Sequence, residues 1–199
     1  MQRFFDINLF FLDNKSVRVL KSNYKRFMNI VLVGYMGSGK STIGRKLSEI
    51  LDFNYFDLDD YIQSKEGMTI SEIFKTNGEI YFRKIESLYL KEVLEIQNVV
   101  LSLGGGTPCY GLNMDMITKS KNSKSIYLKT SIPILAKRLE KEKSGRPLIS
   151  HLKTEEQLIE FIGKHLFERS VFYGQSDLII NTDDKSAHDV VEEIIMTLF

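Results

Sequence analysis

Gly34-Tyr35-Met36-Gly37-Ser38-Gly39-Lys40-Ser41 fits the spacing Gly-x-x-x-x-Gly-Lys-Ser. Ahead of it stands the apolar run Ile30 to Val33, read as a short buried strand. Behind it a helical pattern runs from about Lys40 to Leu51. Strand, glycine-rich turn and helix in that order are the context a phosphate-binding loop requires. Glycines let the backbone bend so that successive N–H groups aim at phosphate oxygens. The helix N-terminus adds the positive end of its dipole. In such a loop Lys40 reaches the β- and γ-phosphates, and the Ser41 hydroxyl ligates Mg²⁺. The loop implies a bound nucleoside triphosphate and leaves the acceptor open.

Outward from the loop, strands and helices alternate. Tyr55 to Leu58 reads as a second strand that ends in acids. Thr69 with Glu72 is a capping box opening a short helix, which Asn77-Gly78 ends. A longer helix follows from about Glu79 to Ile96. Val99 to Leu103, Ser125 to Leu128 and Leu178 to Ile180 read as three more strands. Pro133 suits the start of a helix running to about Lys143. Thr154 with Gln157, and Ser186 with Asp189, cap the last two helices. Alternation of this kind argues for an α/β fold with a parallel sheet covered on both faces.

The 199 residues suffice for one domain with a sizeable core. A net charge of +1 gives no broad basic field for nucleic acid. Cys109 is the only cysteine, so no internal disulfide can form and a reducing, cytoplasmic setting is expected. No apolar run is long enough to span a membrane. Residues 1–27 stand apart. Their apolar burst, Ile7 to Leu12, is broken by Asn8 and ended by Asp13, and suits neither a signal nor a transit peptide. They read as an unstructured extension or a start assigned too early, with a short ordered arm as the alternative. The domain is expected to span 28–199.

Beyond the loop, four features carry candidate chemistry. Asp57-Leu58-Asp59-Asp60 ends the second strand, at the sheet edge where parallel sheets bind ligands. Residues two apart on an extended segment point the same way, so Asp57 and Asp59 face one cleft; the bland alternative is a helix cap, a part assigned to Asp60. Phe82-Arg83-Lys84-Ile85-Glu86 places Arg83 within ion-pairing reach of Glu79 and Glu86. Gly104-Gly105-Gly106 lets backbone approach a ligand, or forms a plain turn. Gly145-Arg146-Pro147-Leu148 suits a mobile lid or a solvated loop, and Arg169 could simply bond terminal carbonyls of its helix.

Taken together, Gly34 to Thr42, Asp57-Leu58-Asp59, Phe82 to Glu86, Leu103 to Gly106, Arg146-Pro147-Leu148 and Arg169 with Tyr173 resemble the shikimate kinase family from about Met28 to the C-terminus. The resemblance implies a nucleoside-monophosphate-kinase-like fold with a five-stranded parallel sheet in the order 2-3-1-4-5. It also implies a shikimate-binding segment at about 57–97 and a lid at about 139–153. ATP and shikimate would be the substrates, Mg²⁺ the cofactor, and the protein a monomer in the aromatic amino acid and chorismate pathway. Gly37, Ser38, Gly39, Lys40, Ser41, Thr42, Arg138 and Arg146 would bind ATP, with the Asn181-Thr182-Asp183 turn beside adenine. Ser41, and Asp57 through water, would hold the metal. Asp59, Arg83, Gly104, Gly105, Gly106 and Arg169 would bind shikimate, the two arginines clamping its carboxylate. Lys40, Asp59 and Arg146 would be catalytic, with Asp59 orienting or deprotonating the attacking hydroxyl. Cys109 and Tyr110 depart from the small residues common in the family after the glycine run. Gluconate kinase, of the same fold, is the rival reading.

Overall fold

The computed structural model describes residues 28–143, 146 and 148–199. The expectations for residues 1–27, and for Gly145 and Pro147 of the lid, lie outside the described residues. β1 (Asn29–Val33), β2 (Asn54–Asp57), β3 (Val99–Ser102), β4 (Ser123–Lys129) and β5 (Leu178–Asn181) form one sheet in the order β2-β3-β1-β4-β5. Every pairing is parallel, with Val31 of β1 registered between Leu101 and Ser125.

β1 lies at the centre and is buried along its whole length. Its side chains alternate between two cores, as the period of a strand requires. Val31 and Val33 face one cluster, and Ile30 and Leu32 the other. The first cluster is closed by α2 (Leu58–Glu66), α3 (Ile70–Glu95), α4 (Asn113–Lys119), α5 (Ile132–Glu142) and α6 (Glu155–Tyr173). The second is closed by α1 (Lys40–Leu51) and α7 (Ala187–Leu198). Fully burying each such aliphatic side chain is worth about 1.5–3 kcal/mol, so a charge at Val31 would unseat the sheet. Among the described residues no helix is long and apolar enough to cross a membrane.

Local signals set most boundaries. The three capping boxes form at Thr69, Thr154 and Ser186. α3 is kinked at Gly78, where the turn after Asn77 was expected. The helical cap among the acids differs from expectation. Asp57, rather than Asp60, is the N-cap of α2, and its carboxylate accepts the Asp59 N–H. Helical geometry therefore begins at Leu58, one residue after the strand ends. Asp60 falls in the first turn, where its charge meets the helix dipole. The 3₁₀ turn Thr107–Cys109 and the short α4 carry too few residues to show a period in sequence.

Candidate active site

The phosphate loop joins β1 to α1 at the carboxyl edge of the sheet. Gly39 is the N-cap of α1 with φ 98°, a left-handed conformation that only glycine adopts freely. The Lys40 ammonium folds back over the loop and donates to the carbonyls of Gly34 (2.8 Å) and Tyr35 (3.0 Å). Burial pulls Lys40 down to about 8, and the carboxylates of Asp57 and Asp59 oppose that fall. The Ser38 hydroxyl is buried inside the same loop and has no hydrogen-bond partner among the described residues.

The acids face the loop across a cleft of about 490 Å³ lined by Gly37 to Thr42, Asp57, Asp59, Gly104, Gly105, Arg138 and Arg146. Ser41 donates to Asp57 at 3.4 Å. Burial raises the Asp57 carboxyl, and Asp60 adds to the rise. Asp59 is pushed up to about 6, first by burial and then by the charges of Asp57 and Glu86. The two acids do share one cleft, though by another route than an extended segment: Asp57 ends the strand and Asp59 opens the helix it caps. The donors suit Mg²⁺. A hydroxyl and a carboxylate are hard oxygen ligands, and a divalent cation would offset both the burial and the neighbouring charges that raise the two acids.

Beyond Asp59 lies the glycine run. A Cβ on Gly104 would come 3.1 Å from Asp59 Oδ1 and 3.0 Å from Thr107 Oγ1, so glycine is what lets the strand end press against the acid. Arg83 and Arg169 do not line the cleft itself; they sit against Gly106 and Gly105 at its end. Arg83 donates from Nη1 to Glu86 at 2.9 Å and lies 3.4 Å from Glu79. Glu86 is 1% exposed and also accepts from Thr107 at 2.7 Å. The Arg83 pair is therefore no surface pair, because one partner is in the core.

α6 touches the site with three residues spaced four apart. The Tyr35 hydroxyl lies 3.0 Å from His165 Nδ1. The Arg169 guanidinium lies 5.6 Å from the Tyr35 ring centroid. Tyr173 donates its hydroxyl to the Gly105 carbonyl. Burial, with the Arg169 charge, holds His165 below its usual value.

At the opposite end of the cleft Arg138 donates to the Gly37 carbonyl at 3.0 Å. Of the Asn181-Thr182-Asp183 turn only Thr182 lines the cleft. Asp183 instead accepts the Ser131 N–H at 3.0 Å, and Asn181 accepts the Asp183 N–H at 3.0 Å. Lys185, Ala187 and Val190 also line the cleft, which sequence reading missed; Ala187 and Val190 lie in the first turn of α7, and Lys185 precedes its N-cap. Arg146 lines the cleft with Glu142 as its ion partner. Thr107 and His165 were likewise missed as neighbours of site residues, while the Arg83–Glu86 pair forms as the helical spacing allowed.

A phosphate-binding loop on a 2-3-1-4-5 parallel sheet, facing buried acids, defines a phosphotransferase of the nucleoside-monophosphate-kinase plan. Comparison with known proteins narrows this. The family model for shikimate kinase matches residues 36–199. A shikimate kinase of Flavobacterium johnsoniae is 43% identical over 83% of this chain and 96% of its own length. That of Flavobacterium psychrophilum is 44% identical, over 85% and 98%. The solved shikimate kinase from Bacteroides thetaiotaomicron superposes with TM-score 0.79 at 35% identity, over 86% of this chain and 98% of that one. The Acinetobacter baumannii enzyme in complex with shikimate gives 0.77 at 30% identity, over 89% and 96%. This chain belongs to the shikimate kinase family, and it is an ATP-dependent kinase. A gluconokinase from Sinorhizobium meliloti, at 16% identity and TM-score 0.52, shares the fold alone.

Proposed function

We propose that the protein transfers the γ-phosphoryl group of ATP to the 3-hydroxyl of shikimate, giving shikimate 3-phosphate and ADP on the route to chorismate and aromatic amino acids. The observation that carries this reading is the position of Asp59. It lies in the cleft with the phosphate loop and beside Gly104, the start of the glycine run whose next two residues adjoin Arg169 and Arg83, and its carboxyl is raised to about 6. A group there meets the nucleotide on one side and a hydroxylated acid on the other.

In this reading the loop N–H groups from Gly37 to Thr42 and the Lys40 ammonium cradle the phosphates. Lys40 leaves the carbonyls of Gly34 and Tyr35 and turns its charge to the transferring group. Arg138 and Arg146 add positive charge from α5 and beyond it. Ser41, and Asp57 through water, would hold Mg²⁺, which would supply charge neutralisation at the phosphates. Asp59 accepts a hydrogen bond from the attacking hydroxyl and takes its proton as the bond to phosphorus forms. Arg83 and Arg169 hold the carboxylate, whose flat shape suits guanidinium forks. Backbone of Gly104, Gly105 and Gly106 contacts the ring. The kinase unit is taken as 28–199, with 57–97 binding shikimate and 139–153 closing as a lid; the proposal includes a monomer acting in the cytoplasm.

A coupled assay of ATP turnover tests this, run with shikimate, gluconate and nucleoside monophosphates, with and without Mg²⁺. Turnover confined to shikimate and dependent on Mg²⁺ is expected. Preference for gluconate or a nucleotide would overturn the assignment.

A further inference from the structure

Besides the Phe82 ring, whose centroid lies 5.0 Å from its central carbon, the Arg83 guanidinium is held on three sides. Glu86 accepts from Nη1 at 2.9 Å, and one oxygen of Glu79 lies 3.4 Å from both Nε and Nη2. These two acids meet the guanidinium along its edges. The third contact is different in kind: the central carbon lies 3.5 Å from the centroid of the Tyr110 ring. That is close enough for the cation to rest on the ring face. Tyr110 is itself anchored at its backbone. Its N–H bonds the Thr107 carbonyl of the 3₁₀ turn, and its carbonyl accepts the Asn113 N–H at the start of α4. Gly106 touches both partners, since a Cβ there would lie 3.5 Å from the Tyr110 ring and 3.6 Å from Arg83 Nη1.

We propose that Tyr110 is a positioning residue for the acceptor: its ring face fixes the plane of Arg83, and so presets the fork offered to the substrate carboxylate. This rests on the kinase reading above. Two parallel N–H···O bonds form between a guanidinium and a carboxylate only when the two groups are nearly coplanar. Edge contacts to Glu79 and Glu86 hold the guanidinium in position within its plane. They do little against tilting out of it, because the long arginine stem can turn. A flat ring beneath the guanidinium opposes that tilt, and it shields one face of the cation from water. The Arg83 side chain is 22% exposed, so the contact is partly desolvated and worth more than one at the open surface. Tyr110 touches no reacting atom in this scheme. Its effect passes through Arg83 to the binding of the acid.

The test is a kinetic split on the full chain. Tyr110→Ala is expected to raise the shikimate KM roughly fivefold to thirtyfold. The ATP KM and kcat should stay within about twofold, since the carboxylate keeps its charge in the transition state. Tyr110→Phe keeps the ring face and should recover most of the lost affinity. Tyr110→Leu keeps apolar volume without a π face; it should behave as the alanine variant does, and it serves if Tyr110→Ala does not fold. Adding Tyr110→Ala to Arg83→Ala should raise the shikimate KM no further. An unchanged shikimate KM in the alanine and leucine variants would overturn the proposal, as would a parallel rise in the ATP KM. Equal losses in the phenylalanine and alanine variants would also overturn it, because the hydroxyl rather than the ring would then be responsible. A wild-type chain that turns over no shikimate sinks the kinase reading; an active wild type with an indifferent Tyr110→Ala sinks only this one.

Discussion

The Asp57 carboxylate accepts the backbone N–H of Asp59 at 3.1 Å, so the acid beside Ser41 also caps the helical turn that carries the second acid. One hydrogen bond thus ties the carboxylate proposed to serve the metal to the backbone of the residue proposed to serve the acceptor. Any change at Asp57 will disturb Asp59 as well, which makes Asp59 the cleaner position to vary.

Asp59→Asn keeps size and removes basicity. Its kcat should fall by a factor on the order of 10²–10⁴ if a positioned base is lost. The wild-type carboxyl titrates at about 6 and accepts a proton only when ionised. Wild-type kcat/KM should therefore show an acidic limb, at or below about 6 once Mg²⁺ is bound, and the Asn variant should lack that limb. A variant changed in KM alone, with kcat untouched, would make Asp59 an orienting residue rather than a base.

The same substitution should make the protein more stable. Burial and the charges of Asp57 and Glu86 raise the folded carboxyl above its unfolded value, so the ionised form is strained in the native state. Stability from this group is fully present below about 3.9, the unfolded value, and is lost as pH rises through about 6. At pH 8 Asp59→Asn should gain on the order of 1–3 kcal/mol, and at pH 4 the gain should vanish. Urea titrations at the two pH values decide the matter; a variant less stable at pH 8 contradicts it.

Gly104→Ala tests whether the glycine run holds Asp59 in place. The added methyl would meet two side-chain oxygens, Thr107 Oγ1 at 3.0 Å and Asp59 Oδ1 at 3.1 Å, so one of them must give way. Moving the acid by a fraction of an ångström should lower kcat by less than the roughly 10²-fold that a misplacement of about 1 Å costs. Circular dichroism and the thermal midpoint separate this from unfolding.

Arg83→Ala should act mainly on binding. Loss of a charge-assisted contact of about 1.5–3 kcal/mol corresponds to a shikimate KM roughly 10- to 150-fold higher, with kcat little changed. The thermal midpoint should also fall, because Glu86 would keep only Thr107 as partner in the core. Arg83→Ala with Glu86→Gln should restore the midpoint and leave the KM high. Recovery of both would assign Arg83 to folding alone.

Lys40→Met should abolish phosphoryl transfer while the fold survives. Burial already pulls the ammonium down to about 8, so replacing it by an apolar chain of similar length removes a desolvated charge. Measured turnover at the wild-type rate would remove the phosphate-loop assignment.

What could be read in advance depended on range along the chain. The loop, its strand and helix, and the boxes at Thr69, Thr154 and Ser186 are local patterns, each set by residues within a turn or two. The strand order and most candidate site residues followed from a resemblance built on such patterns. Asp57 and Asp59 were placed in one cleft for the wrong reason, because strand alternation was assumed where a helix already begins. Contacts across long separations left no trace in the sequence. Arg138 meets the Gly37 carbonyl 101 residues away, and Tyr35 meets His165 at a separation of 130. Glu86 reads as a pairing partner of Arg83, but its burial against Thr107 comes only with folding.

His165, Arg169 and Tyr173 give α6 the character of a ruler. Four residues of α-helix advance about 6 Å and return nearly to the same face, so the spacing of these three contacts is fixed by helix geometry alone. Single substitutions along the outer face, such as at the exposed Phe167 or Val171, leave that spacing intact. Inserting or deleting one residue between His165 and Tyr173 would not. It would turn the far contact by about 100° and slide it by about 1.5 Å, parting the phosphate loop from the glycine run. Length along this helix is therefore far more constrained than composition, and lineages or designs that vary the protein's size must do so elsewhere.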